Sequence, residues 1–226
     1  MATFTKKSAA PLSGTLIARH WNQRAQTFDR PHPRLRLIAN AIARLPGNVS
    51  TLLDIGCGPG TLRSLLPATI EYFGVDIAGD VIPVREDPEH FVIADLNHED
   101  DCFPGRRFTV VVASGMFEYV RDPDRFLLFV ERKLSPDGHF ILTYLNRWRY
   151  RDAFRRLQGL FPTYPDPHLN FMSVPAAVRL LKNDGFTVER SQALTRSAKV
   201  IPGAALLRHL PLSLMASQFL FVCCLM

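Results

Sequence analysis

A chain of 226 residues, 47% hydrophobic and 21% charged, is long enough for one well-cored domain and too short to make two full domains the first expectation. No low-complexity block or internal repeat interrupts it, which excludes repeat arrays and broadly disordered architectures. The formal charge of +6 admits an anionic partner without requiring one.

Residues 1–14 carry Lys6 and Lys7 with no apolar stretch behind them, unlike a secretory signal, so a cytoplasmic protein is expected. The cysteines agree. Cys57 lies in a glycine run, Cys102 in a loop, and Cys223 and Cys224 are neighbours in an apolar run, which is no disulfide framework. No histidine and cysteine cluster suggests a metal. Residues 1–50 are expected to form a tail and helical cap, and residues 51–226 the main domain, with an insertion at about 146–173.

Short β-rich runs alternating with helical patterns predict a mostly parallel sheet with helices on both faces, an α/β architecture. Strands are predicted at Thr51–Ile55, Ile70–Val75, His90–Ala94, Phe108–Ala113 and His139–Tyr144. The links flanking the second strand are short. A helix is predicted from Pro123, with Phe126, Leu127, Phe129, Val130 and Leu134 on one face, stopped by Ser135-Pro136-Asp137-Gly138. Another covers Val174–Asp184 and is followed by a strand at Phe186–Leu194. The terminal run from Phe219 to Met226 is far shorter than the roughly 20 residues a membrane-spanning helix needs.

The first strand breaks directly into Asp54-Ile55-Gly56-Cys57-Gly58-Pro59-Gly60. Glycines at alternate positions let bare backbone turn through φ > 0 and approach a ligand closely. The G-x-G-x-G spacing with an acid before it differs from the dinucleotide fingerprint G-x-G-x-x-G, and an acid there suits a cationic group better than a phosphate. The second strand ends in Asp76-Ile77, about 20 residues past the glycines, where a carboxylate can accept from ribose hydroxyls. The third ends in Asp95-Leu96 and the fourth in Ser114-Gly115-Met116-Phe117-Glu118-Tyr119-Val120. Taken singly, each acid could equally be a turn or cap residue.

Together these runs resemble those of the class I S-adenosylmethionine (SAM) dependent methyltransferases, closely over Thr51 to Tyr144. The resemblance implies a Rossmann-like sheet of seven strands, the last inserted antiparallel beside the fifth and read in the run Phe219–Met226. It also implies SAM as cofactor. Asp54 would face the methionine ammonium directly or through water, and Gly56, Cys57, Gly58 and Gly60 would border the amino-acid moiety. Asp76 would take the ribose, Ile77 an adenine face, Asp95 the adenine amino group and Leu96 the ring, while Ser114 and Met116 would flank the reacting methyl. Many family members carry Phe-Asp at the start of the fourth strand, where this chain has Phe108-Thr109.

Transfer from a sulfonium needs alignment and exclusion of water, with a general base only for a protonated acceptor. His168, in the run Tyr164 to Phe171, is the first candidate for that base, equally readable as a loop anchor. Tyr144 and Asn146 are second, and Glu118, more readily a cap or salt-bridge partner, is third. The run His20 to Asp29 resembles the helix folded over the cofactor in many small-molecule methyltransferases, which would put His20, Trp21 and Arg24 in a lid. No Asn-Pro-Pro-Tyr or Asp-Pro-Pro-Tyr motif follows the fourth strand, which argues against nucleic acid and for a small metabolite, a sugar or a lipid-linked acceptor. The arginines of the Arg147–Arg156 stretch fit nucleic acid, a phosphorylated substrate or peripheral contact with an anionic membrane, or else a solvated face. The expected function is methyl transfer to an O or N of such an acceptor; the alternative is a non-catalytic SAM-binding subunit that regulates a partner.

Overall fold

A computed structural model describes residues 14–23, 32–99, 101–146, 170, 172–194 and 218–226. Its centre is a seven-stranded sheet: β1 Thr51–Ile55, β2 Glu71–Asp76, β3 Phe91–Ile93, β4 Phe108–Ser114, β5 Leu134–Leu145, β6 Phe186–Leu194 and β7 Gln218–Leu225. The strand order is β3-β2-β1-β4-β5-β7-β6. Strands β1 to β5 run parallel, and β7 lies antiparallel between β5 and β6. The expected Rossmann-like seven-stranded sheet, with its last strand antiparallel beside the fifth, is therefore present.

Four α-helices are described: α1 Gly14–Asn22, α2 Pro33–Ile42, α3 Pro123–Lys133 and α4 Val174–Asn183. Side chains alternate across a strand, so each strand feeds two cores. Leu53, Val111, Phe140 and Phe221 meet Phe126 and Val130 of α3 and Leu181 of α4 on one face. Leu52, Tyr72, Val110, Ile141 and Val222 meet Ile38 and Ile42 of α2 on the other. Each such fully buried side chain contributes about 1.5–3 kcal/mol. The short links expected around β2 are a 3-10 turn at Thr61–Leu65 and irregular chain before β3.

The helix starts follow from capping chemistry. Asp122 accepts from the Arg125 N–H and Ser173 from the Ala176 N–H, at 3.1 and 3.3 Å, each with proline in the first turn. His32 Nδ1 accepts from the Arg34 N–H at 3.2 Å ahead of α2, which fixes Arg34 in that helix's first turn. The sequence places the start of β5 at His139, yet pairing begins at Leu134 opposite Phe108 and resumes at His139 opposite Val110. Residues 135–138 bulge between them, and a Cβ on Gly138 would sit 2.9 Å from the Ser135 carbonyl.

Thr109 follows Phe108 at the start of β4. Its Oγ1 donates to the Thr51 carbonyl at 2.7 Å and accepts from the Ser50 and Thr51 N–H groups at 3.2 and 3.1 Å. Thr51 Oγ1 in turn accepts from the Thr109 N–H at 3.1 Å. A single hydroxyl thus serves the two amides at the start of β1. Thr109→Val should lower stability by about 1–2 kcal/mol and Thr109→Ser should not, measured by urea unfolding; an unchanged valine midpoint would contradict the assignment.

Candidate functional site

A cleft opens at the carboxyl ends of β1 to β4, bounded above by Ile17 and Trp21 of α1. The strand order reverses direction between β1 and β4, and ligand crevices in open α/β sheets form at such points. Gly56, Gly58 and Gly60 take φ of 73°, 54° and 73°, a region that strains any other L residue. A Cβ on Gly56 would lie 2.7 Å from Met116 Cβ, so the loop can press against the β4 end only as bare backbone.

Asp76 holds this loop. Its Oδ2 accepts from the Gly58 N–H and its Oδ1 from the Ala78 N–H, both at 2.8 Å. Burial raises its pKa, and the amide hydrogen bonds oppose that shift. Ile77 lines the cleft beside it. Further along, Asp95 Oδ1 accepts from the Asn97 N–H at 3.0 Å, and Asn97 ties the next turn through the Tyr119 carbonyl and the Arg121 N–H. Asp95 and Leu96 line one part of the cleft, and Ser114, Gly115 and Met116 another.

Eight of the expected cofactor residues thus share one cleft: Gly56, Gly58, Asp76, Ile77, Asp95, Leu96, Ser114 and Met116. The other three do not line it. Gly60 packs against the Phe91 ring and opens the 3-10 turn. The Cys57 thiol is buried, reaches the Gly58 carbonyl at 3.4 Å, and has its pKa raised by burial. Asp54 is 3% exposed. Its Oδ2 accepts from the Tyr72 hydroxyl at 2.6 Å, and its Oδ1 is buried without a hydrogen-bond partner among the described residues.

Tyr144, expected to orient the acceptor, does not line this cleft. Alternation along β5 turns its ring to the α3/α4 face, stacked on Phe221, where its hydroxyl donates to the Met172 carbonyl. Burial raises its pKa. Glu118 is 1% exposed, with Oε1 accepting from the Leu145 N–H at 2.6 Å, a tie between the ends of β4 and β5. His168, Arg24 and the Arg147–Arg156 stretch lie outside the described residues.

Sequence reasoning missed Arg34. Its guanidinium atoms stand 2.4–2.8 Å from where a Cβ on Gly115 would be, so only glycine at 115, with φ 66°, admits the side chain. Arg34 lines the cleft, and its Nε is buried without a hydrogen-bond partner among the described residues. Burial lowers its pKa, while Glu118, Asp54 and Tyr119 oppose the change.

Burial raises the pKa of Asp54 from 3.8 to about 7, with the Tyr72 hydrogen bond opposing and Asp76 adding to the rise. A raised folded-state value means that ionisation costs stability progressively as pH climbs from 3.8 through about 7. Asp54→Asn cannot ionise and still accepts from Tyr72. Its melting temperature should therefore gain on that of the parent protein between pH 5 and pH 8; a constant offset would contradict the burial argument.

A family model described as "Methyltransferase domain" matches residues 23–191. The ubiquinone biosynthesis O-methyltransferase of Cereibacter sphaeroides (strain ATCC 17025) is 32% identical over 115 residues, 46% of this chain and 45% of that protein. The human mitochondrial arginine-hydroxylase NDUFAF5 is 33% identical over 107 residues, 46% of this chain and 31% of that protein. These matches span less than half the length of the curated relatives. Among solved structures, a chain from the complex of the Haloferax volcanii Trm112 methyltransferase activator with a methyltransferase superposes with TM-score 0.63 at 18% identity, covering 92% of this chain and 95% of that one. A SAM-dependent methyltransferase from Clostridium acetobutylicum gives 0.61 at 13% identity, covering 93% and 98%. At such identities the structures speak for the fold, and the family model for membership: the chain belongs to the class I SAM-dependent methyltransferases.

Proposed function

We propose that this chain transfers a methyl group from SAM to an oxygen or nitrogen of a small metabolite, a sugar or a lipid-linked acceptor. One observation carries the reading of the cofactor. Near the glycine loop, two buried polar atoms of opposite charge type, Asp54 Oδ1 and Arg34 Nε, have no hydrogen-bond partner among the described residues. Buried polar groups are normally satisfied, so such a pair fits a ligand or ordered water. The amino-acid end of SAM carries an ammonium and a carboxylate, which matches an acid and a cation.

The rest of the cleft fits the remaining groups of SAM. Asp76 keeps acceptor capacity on both oxygens for ribose hydroxyls. Ile77, Ala94 and Leu96 offer apolar surface for an adenine, with Asp95 at its edge. When bound, SAM supplies a methyl group already activated on a sulfonium. The chain's own task is then to hold donor and acceptor in line and keep water out. Met116, Tyr119, Val120 and Trp21 line the cleft and serve the second purpose. For an acceptor that must lose a proton, we assign His168 as general base, as the sequence suggests.

A second reading follows from NDUFAF5, a relative named as a hydroxylase. Product mass separates the two, since methylation adds about 14 Da and hydroxylation about 16 Da. Titration calorimetry with S-adenosylhomocysteine should give one site per chain, and Arg34→Ala should weaken it about tenfold or more, as loss of a charged hydrogen bond does. Absence of binding to the parent protein would refute the cofactor assignment. His168→Ala should leave that affinity intact and depress turnover about 10²-fold or more, read with radiolabelled SAM against metabolite and lipid extracts. Unchanged turnover would remove His168 from the mechanism.

A further inference from the structure

Tyr72 carries a hydroxyl into the apolar layer under α2, where a phenylalanine would fill the same space. It is 2% exposed, and its ring packs against Phe91 with centroids 5.9 Å apart. On β2 it pairs with Leu52, two residues below Asp54, whose own register partner is Gly74. Leu52 and Tyr72 both belong to the α2-side core, so the phenol can reach along that face towards the carboxylate. Gly74 cannot supply a side chain there: a Cβ on it would lie 2.7 Å from both Cys57 Sγ and the Phe91 ring. The hydrogen bond to Asp54 therefore comes from the strand position below.

Its effect is asymmetric. The hydroxyl donates to Oδ2 at 2.6 Å and leaves Oδ1 unpartnered. A phenol donor also favours the carboxylate over the neutral acid. The other groups acting on this acid are Asp76 at the end of β2, which disfavours its charge, and Arg34 of α2, which favours it. The Cys57 thiol is a further neighbour in the glycine loop, and Arg63 of the 3-10 turn acts on Tyr72 itself. Of these, only Tyr72 hydrogen-bonds the Asp54 side chain.

We propose that Tyr72 is a positioning residue for cofactor capture: by holding Oδ2 of Asp54, just behind the cleft lining, it leaves Oδ1 to take the ammonium of the bound amino-acid moiety directly or through one water. The inference rests on the cofactor reading above. It makes Tyr72 a determinant of affinity for the amino group specifically, at a residue that does not line the cleft.

The test compares S-adenosylhomocysteine with its analogue lacking the amino group, by calorimetry from pH 6 to 8.5, on the parent protein, Tyr72→Phe, Asp54→Asn and the double variant. Tyr72→Phe should weaken S-adenosylhomocysteine about tenfold at pH 7, the loss expected for a hydrogen bond to a charged group. The deaminated analogue should change less than about twofold, within the effect of a minor packing change. The affinity of the variant should recover as pH rises, because removing the donor raises the pH at which Asp54 ionises. In the Asp54→Asn background, Tyr72→Phe should weaken binding no further. Equal weakening of both ligands would make Tyr72 a packing residue and overturn the proposal, as would no change for either. If the parent protein binds both ligands equally well, the amino group is not read here and the proposal fails while the cofactor reading stands. If the parent protein binds neither, both fail.

Discussion

The carboxylate of Asp76 is the constraint on which the functional edge of this molecule depends. One side chain at the end of β2 accepts from the Gly58 N–H and from the Ala78 N–H, joining the loop after β1 to the loop after β2. The main chain adds to the tie, since the Gly56 and Cys57 N–H groups both donate to the Val75 carbonyl at 2.8 and 3.2 Å. With the loop held, glycine becomes obligatory at 56, because Met116 stands against it, and again at 115, because Arg34 stands against that turn. Three strand ends are thereby fixed around a single cleft.

That arrangement explains why charge is buried where it is. Asp54 and Arg34 each keep a buried polar atom without a hydrogen-bond partner, at a cost a folded protein does not usually sustain without a use for it. Such unsatisfied groups concentrate at functional sites, where ligand binding completes them. Glu118, also buried, accepts from the Leu145 N–H with one oxygen, while its other oxygen, like Asp54 Oδ1, has no hydrogen-bond partner among the described residues, and its backbone carbonyl accepts from the Asn170 N–H. It serves to join the turn after β4 to β5 and to the chain entering α4.

Much of the fold was legible because strand periodicity and turn chemistry agree locally. Strands β1 and β6 fall where their β-rich runs put them, and β7 reads as a continuous apolar run because both of its faces are buried, Phe219, Phe221 and Cys223 in one core and Leu220 and Val222 in the other. The start of β5 was not legible, since a bulge that keeps Leu134 paired across Ser135 to Gly138 has the composition of an ordinary turn. In the site, Asp76 and Asp95 stand at strand ends and can be found by position. Arg34 cannot, because in Pro33-Arg34-Leu35-Arg36 only the tertiary placement of α2 distinguishes the arginine facing Gly115 from its neighbour. Tyr144 is the converse case: a polar residue at a strand end reads as facing the site, and its ring packs in the α3/α4-side core with its hydroxyl donated to the Met172 carbonyl.

In the proposed pose the amino-acid end of the cofactor lies at the glycine loop and Arg34, and its adenine at Ile77, Asp95 and Leu96. A crystal structure of the complex with S-adenosylhomocysteine tests this most directly. The account predicts the ligand carboxylate on the Arg34 guanidinium, the amino group within direct or one-water reach of Asp54 Oδ1, and the ribose hydroxyls on Asp76. A ligand lying in the reverse direction, or bound away from this cleft, would contradict it.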